Sequence, residues 1–150
     1  MAHISRHFQR LTSLSAGLLA ACATGPDDSL LFSDAKRGPA VLVFYGDTSA
    51  VELAPATRVG EVTTLRFTSF SGGCVRPDST DVTVSGLNAE VHPHRRQLPP
   101  DAVCTLDLRL DMNVAQLQFA EPGPARVRIV GLARPGDTPF VVERELLVSP

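Results

Sequence analysis

From residue 39 onward apolar side chains recur at every second position, and they almost never recur at helical spacing. A side-chain period of two belongs to β-strands with one buried face. Ala125, Val127 and Ile129 alternate with Arg126 and Arg128, and after the turn Arg134-Pro135-Gly136-Asp137 the residues Phe140, Val142, Leu146 and Val148 return. Arg144 interrupts that set, an inward-tending charge of the kind that keeps a sheet edge from pairing with other chains. Val103 to Leu110 predicts Leu106, Leu108 and Leu110 inside, with Asp107, Arg109 and Asp111 outside. A break near Asp111 to Asn113 then puts Ala115, Leu117 and Phe119 on the inner face.

The earlier stretches read the same way. Ala40 to Tyr45 is a continuous apolar run, Val51-Glu52-Leu53 is a short strand stopped by Pro55, and Val62 to Phe70 alternates through Leu65 and Phe67. Asp81 to Ser85 points Val82 and Val84 inward, and Gly86 to Asn88 turns the chain into Ala89-Glu90-Val91. The chain's 12 prolines and 11 glycines punctuate these runs, and no helix intervenes. The pattern predicts an all-β domain over residues 39–150, an antiparallel sandwich of about seven to nine strands.

The amino terminus obeys different rules. Residues 1–10 carry Arg6 and Arg10 and no acid, and residues 11–21 are apolar or small. A basic start followed by a short apolar stretch is a secretory signal, and this stretch falls short of the roughly 20 apolar residues that a transmembrane helix needs. Leu19-Ala20-Ala21-Cys22 resembles the lipobox of bacterial lipoproteins. That resemblance implies cleavage after residue 21, a diacylglyceryl group on Cys22 and anchoring to a membrane. With Ala23 where an Asp would favour the inner membrane, it further implies an outer-membrane location, facing the periplasm or the surface. Residues 22–38 then form a lipidated end and a tether, whose flexible span is roughly 20–25 Å.

Export bears on the other two cysteines. Cys74 and Cys104 remain as a pair once Cys22 is modified, and an oxidising compartment favours their disulfide. Neither belongs to a CxxC motif. The net charge is −2 for the whole chain, and removal of the leader leaves a more acidic protein, a poor electrostatic match for nucleic acid.

Few residues suggest chemistry. His92-Pro93-His94 in an extended backbone projects two imidazoles to one side with Glu90, a beginning of a copper or zinc site, although Arg95 and Arg96 follow and repel a cation. The plainer expectation for this proline-rich stretch is a polar loop. Asp78-Ser79-Thr80-Asp81 offers oxygens to calcium but lacks the ligand count and glycine of a calcium loop, and reads as a turn. Arg126, Arg128 and Arg134 face Glu143 and Glu145 across the terminal hairpin, as cross-strand ion pairs. Asp107 and Asp111 are the carboxylates a hydrolase would use, and read as the wet face of a strand. No nucleophile elbow surrounds Ser71-Gly72-Gly73, and no phosphate-binding glycine loop occurs. No catalytic residue and no cofactor is therefore assigned.

The segment from Leu117 to Ile129, L-x-F-x-E-P-G-x-A-x-V-x-I, resembles the E-to-F region of immunoglobulin-like bacterial domains, and Val51 to Val148 is similar to uncharacterised single-domain envelope proteins. The resemblance implies an immunoglobulin-like sandwich and no particular activity. The expected protein is a non-enzymatic envelope lipoprotein that meets a protein or glycan partner. Its alternatives are a metal-binding module using His92 and His94, and a hydrolase with a carboxylate site.

Overall fold

The computed structural model describes residues 32–44, 50–134 and 136–150. The expected leader over residues 1–21, the expected lipidation site Cys22 and the expected tether as far as residue 31 lie outside the described residues. Among the described residues ten strands follow one another: β1 (Lys36–Pro39), β2 (Val41–Leu42), β3 (Val51–Glu52), β4 (Ala56–Arg58), β5 (Val62–Gly72), β6 (Val75–Ser85), β7 (Asn88–Gln97), β8 (Leu108–Gln118), β9 (Gly123–Ala133) and β10 (Thr138–Ser149). The all-β class is as the alternation predicts.

The hairpin β9–β10 shows why. Ile129 opposes Val142 and Ala125 opposes Leu146 on the buried face, while Arg128 opposes Glu143 and Arg126 opposes Glu145 on the wet one. Val127 opposes Arg144, whose guanidinium sits over the Phe44 ring at 5.3 Å. The interior is filled by Leu65 and Phe67 from β5, Ala89 and Val91 from β7, Ala115 and Leu117 from β8, Phe119, and the inward residues of β9 and β10.

The sheet closes on itself. Hydrogen-bonded neighbours run β7-β6-β5-β2-β9, and β9 pairs again with β7 through Asn88↔Arg126 to Val91↔Ile129. The expected sandwich has two separate sheets; the structure has a closed five-strand core, with β1, β3, β4, β8 and β10 attached to it. Pairing is also mixed rather than purely antiparallel, since β7–β9, β2–β9 and β4–β10 run parallel. Ala40 fastens one closure point: its amide donates to the Pro93 carbonyl at 2.9 Å, and its carbonyl accepts from the Leu132 amide at 2.9 Å. Gly131 permits that approach, because a Cβ there would lie 2.8 Å from both the Ala40 oxygen and Leu42 Cγ.

Val82 and Val84, expected inside, are exposed on β6, and three other expectations change. First, Phe32 is buried and Lys36–Pro39 pairs with β7, so the last residues read as tether pack on the domain. Second, Asp78 to Asp81 and His92 to His94 are strand rather than turn and loop. β6 starts upstream at Val75, with a register shift between Pro77 and Thr80, and Pro93 lies buried within β7. An irregularity absorbs Pro77, which has no amide proton for the ladder. Third, β8 continues through Asp111–Asn113 without a break, paired residue by residue with β5 from Gly72↔Leu108 to Val62↔Gln118.

That continuity reverses the expected facing of the leucines. With Ala115 and Leu117 inside, parity also turns Asn113 and Asp111 inward and sends Leu108, Leu110, Met112 and Val114 outward. Polar pairing at this end removes the need for a bulge: Asn113 Nδ2 donates to Ser69 Oγ at 2.9 Å and to the Asp111 carbonyl at 3.2 Å. The serine and asparagine satisfy one another inside, so the strand needs no kink to hide an unpaired amide.

Candidate functional site

The outer face of β7 carries Glu90, His92 and His94, three of the residues that the sequence marks for chemistry. Val91 and Pro93 point into the core, so Glu90, His92, His94 and Arg96 share the opposite side. On one side β9 brings Arg128 opposite Glu90, and on the other β6 brings Asp81 opposite His92. β1 then places Arg37 beyond His94.

These groups form a ladder of alternating charge. Arg128 Nη1 donates to Glu90 Oε1, and its Nε lies 3.4 Å from Glu143 Oε1. His92 Nε2 is 3.4 Å from Glu90 Oε2, and His94 Nε2 is 3.0 Å from Asp81 Oδ2. Arg37 joins three acceptors: Asp78 Oδ2 at 3.0 Å, Ser79 Oγ at 2.7 Å and Asp81 Oδ2 at 3.1 Å. Arg96 Nε adds a bond to Asp78 Oδ1 at 3.1 Å. The hydrogen bond from Arg37 holds the Asp81 carboxyl below its ordinary value. For Asp78, burial pushes upward, but the combined bonds from Arg96 and Arg37 outweigh it and the net shift is downward.

This arrangement answers the metal and calcium candidates. His92 and His94 do share a face with Glu90, but each imidazole faces a separate carboxylate, and those carboxylates already bind arginines. Among the described residues no three His, Cys, Asp or Glu side chains converge as a metal group. The oxygens of Asp78 and Asp81 are directed at Arg37 and Arg96 instead of at a shared cation position. Nothing in the sequence placed Arg37 in this network, because it falls in the stretch read as tether.

The carboxylates of the hydrolase alternative lie elsewhere, on the inward side of β8 and the approach to it. Thr105 Oγ1 donates to Asp107 and lowers its pKa; partial burial opposes this, and Arg109 adds to the lowering. A carboxyl held ionised in this way is unsuited to serve as a general acid, which needs a raised value. Asp111 Oδ2 is buried without a hydrogen-bond partner among the described residues.

Cys74 and Cys104 are joined as a disulfide with Cα atoms 5.2 Å apart. The bridge ties the β5–β6 hairpin to the loop before β8. A Cβ on Gly72 would collide with the Asp107 carbonyl and one on Gly73 with Thr105, so the two glycines let the loop lie flat on the hairpin. Beside the disulfide runs an open groove of about 420 Å³, with Phe70 in its floor and Arg95, Arg134 and Asp107 on its walls. Arg95 is paired with Asp137 at 2.6 Å, and the Arg134 guanidinium rests 5.1 Å above Phe70.

The outward face of β8 stands apart from all this. Leu108, Leu110, Met112 and Val114 are each more than half exposed, and Leu106 precedes them in full contact with water. Alternation along the sequence predicts an apolar row here, but on the wrong side of the strand.

The fold and its surface define a small, disulfide-tied all-β domain with a self-paired charge ladder on one side and an apolar strand face on another. Comparison with family models, curated proteins and solved structures yields no match.

Proposed function

We propose that this chain is an exported lipoprotein of the cell envelope, anchored through Cys22, whose β-domain acts by binding a protein or glycan rather than by catalysis. The disulfide is the observation that carries the reading. Bridges of this kind persist in oxidising compartments and are rare in reducing ones, and Cys74 and Cys104 sit at bonding distance in the folded domain. Export is also what the basic, then apolar, amino terminus encodes, and Cys22 at its end supplies the attachment point. Lipoproteins carry two or three acyl chains, enough for stable anchoring where one is marginal. The binding role is supported by the state of the ionisable groups, since His92, His94 and Asp107 are each engaged by neighbours in ways that serve the fold.

The immunoglobulin-like kinship is part of the proposal and rests on the Leu117–Ile129 segment. β8 pairs with β5, while β9 pairs with β10 and β7, so the Pro-Gly turn carries the chain from one side of the core to the other. Metabolic labelling with a fatty-acid analogue tests the anchor. Label must enter the wild-type chain, sediment with membranes, and vanish in Cys22→Ser; unlabelled protein in the cytosol with residues 1–21 intact refutes it.

A further inference from the structure

The outward face of β8 is the largest exposed apolar feature among the described residues, and β8 is also an open edge. Among the described residues it hydrogen-bonds as a strand to β5 alone, so its other row of amides and carbonyls is in no ladder there. A long edge with an apolar face is a template for strand pairing. We propose that its occupant is a second copy of this chain, joined edge to edge through antiparallel β8–β8 pairing about a two-fold axis at Leu110.

Self-complementarity selects both the partner and the register. In an antiparallel pair of identical strands, residues equidistant from the axis stand opposite one another and point to the same face. With the axis at Leu110, Leu108 meets Met112 and Leu106 meets Val114, so each apolar residue of the stripe meets an apolar residue. On the other face Arg109 meets Asp111, twice over by symmetry. Moving the axis one residue on sets Asp111 against its own copy. Moving it one residue back sets Arg109 against its copy and Asp107 against Asp111. Like charges directly opposite destabilise a sheet, and unlike ones support it.

Asp111 adds a separate observation. One of its carboxylate oxygens is buried and lacks a hydrogen-bond partner among the described residues. The register centred on Leu110 brings a guanidinium to that residue, whereas the described residues of one chain leave the oxygen unsatisfied. Arg109 itself, more than half exposed, is joined in the single chain to Asp107 and is placed to bridge both acids in a pair. This inference is independent of the anchor on Cys22 and stands or falls separately from it.

The test uses the full chain carrying Cys22→Ser, purified without detergent, at about 5–500 µM, a range suited to an interface at the small end of specific ones. Light scattering after size exclusion should show a concentration-dependent rise from the 16.0 kDa of one chain towards twice that mass. Leu110→Lys should abolish the rise, and Val141→Lys, on exposed β10 surface, should leave it intact, with circular dichroism confirming that both fold. Register is read by oxidation. Leu110→Cys should cross-link to itself, but Val114→Cys should not, because its two copies lie about 27 Å apart in the proposed pair. A mixture of Val114→Cys and Leu106→Cys should cross-link. A monomer at every concentration overturns the proposal, as does a dimer in which Val114→Cys self-links as readily as Leu110→Cys. Flotation of a monomer with phosphatidylethanolamine–phosphatidylglycerol vesicles, lost in Leu110→Lys, also overturns it and assigns the stripe to lipid.

Discussion

Leu110→Ala and Leu117→Ala make the same deletion on opposite faces of one strand, and their costs should differ several-fold. Leu117 is 0% exposed and belongs to the main core cluster with Leu65, Phe119 and Val127. Truncating such a leucine removes buried methyl groups and leaves a cavity, at about 2–5 kcal/mol. Leu110 keeps 61% of its surface in water in the single chain. At most two-fifths of a full burial worth about 1.5–3 kcal/mol is at stake there, so the loss is about 1 kcal/mol or less. Urea melts at a few micromolar, dilute enough to exclude association, measure both. With a common slope of about 1–2 kcal/mol per molar, the midpoint should fall by about 1 M or more for Leu117→Ala and by well under that for Leu110→Ala. Equal losses would refute the parity of β8, and with it the apolar outer face. They would mean that the strand breaks near Asp111 and hides its leucines, as simple alternation predicts.

Replacing Cys74 and Cys104 by Ala opens a loop of 30 residues and should cost about 3–4 kcal/mol by chain entropy, lowering Tm by roughly 10–15 °C in a scanning calorimeter. A drop of less than about 3 °C argues that the bridge is ornamental. The carboxyls of Asp78, Asp81 and Asp107 all titrate below the ordinary 3.8 in the folded chain. A depressed folded value means that the stability they add is complete above 3.8 and is lost as pH falls through the lower folded values. Denaturant melts between pH 5 and 2 should therefore steepen below 3.8 in the wild type and flatten in Arg37→Gln, with an identical profile in that variant counting against the ladder. Gly131→Val should destabilise by about 1–3 kcal/mol through overpacking against Ala40 and Leu42, read by the same melts, and a neutral change would show that β2 does not need close approach to β9. Copper titration should give the same weak affinity for the wild type and for His92→Ala/His94→Ala, whereas a clear loss in the double variant would support the metal-binding alternative.

Local alternation made the strands legible, and pairing decided what alternation could not. The terminal hairpin follows directly from Ala125-Arg126-Val127-Arg128-Ile129 and its return, because a clean period of two between strong turn residues admits one facing. The disulfide was legible from the cysteine count together with the expectation of export. β8 was not. Leu106 to Leu110 and Ala115 to Phe119 are each clean alternations of opposite parity, so something between them must yield. An apolar core favours a bulge that hides both sets; the ladder with β5 and the Asn113–Ser69 bond favour a straight strand that exposes one. Only the partner strand carries that information. His92 and Asp78 were misplaced for a related reason. Prolines at 77 and 93 signal turns, yet each is tolerated within a strand, Pro77 beside a register shift and Pro93 in the buried centre of β7 with its carbonyl still accepting from Ala40. The closed core was illegible because its joins at Val41↔Leu132 and from Asn88↔Arg126 to Val91↔Ile129 link elements far apart in the chain, while the consecutive strands β5 and β6 meet at the single pair Gly72↔Val75.

The two outward surfaces of the domain differ in what a partner must overcome. On β7 and its neighbours, Glu143, Arg128, Glu90, His92, Asp81, His94 and Arg37 already satisfy one another, and a ligand there must break existing pairs and strip water from each charge. On β8, water lies against Leu108, Leu110, Met112 and Val114, and a partner that removes it gains about 25 cal/mol for each Å² of apolar surface covered, with unpaired backbone groups ready to guide its alignment. Chemically conspicuous side chains therefore mark a face where binding carries a cost, and the proposed association falls on the strand whose residues read as core in the sequence.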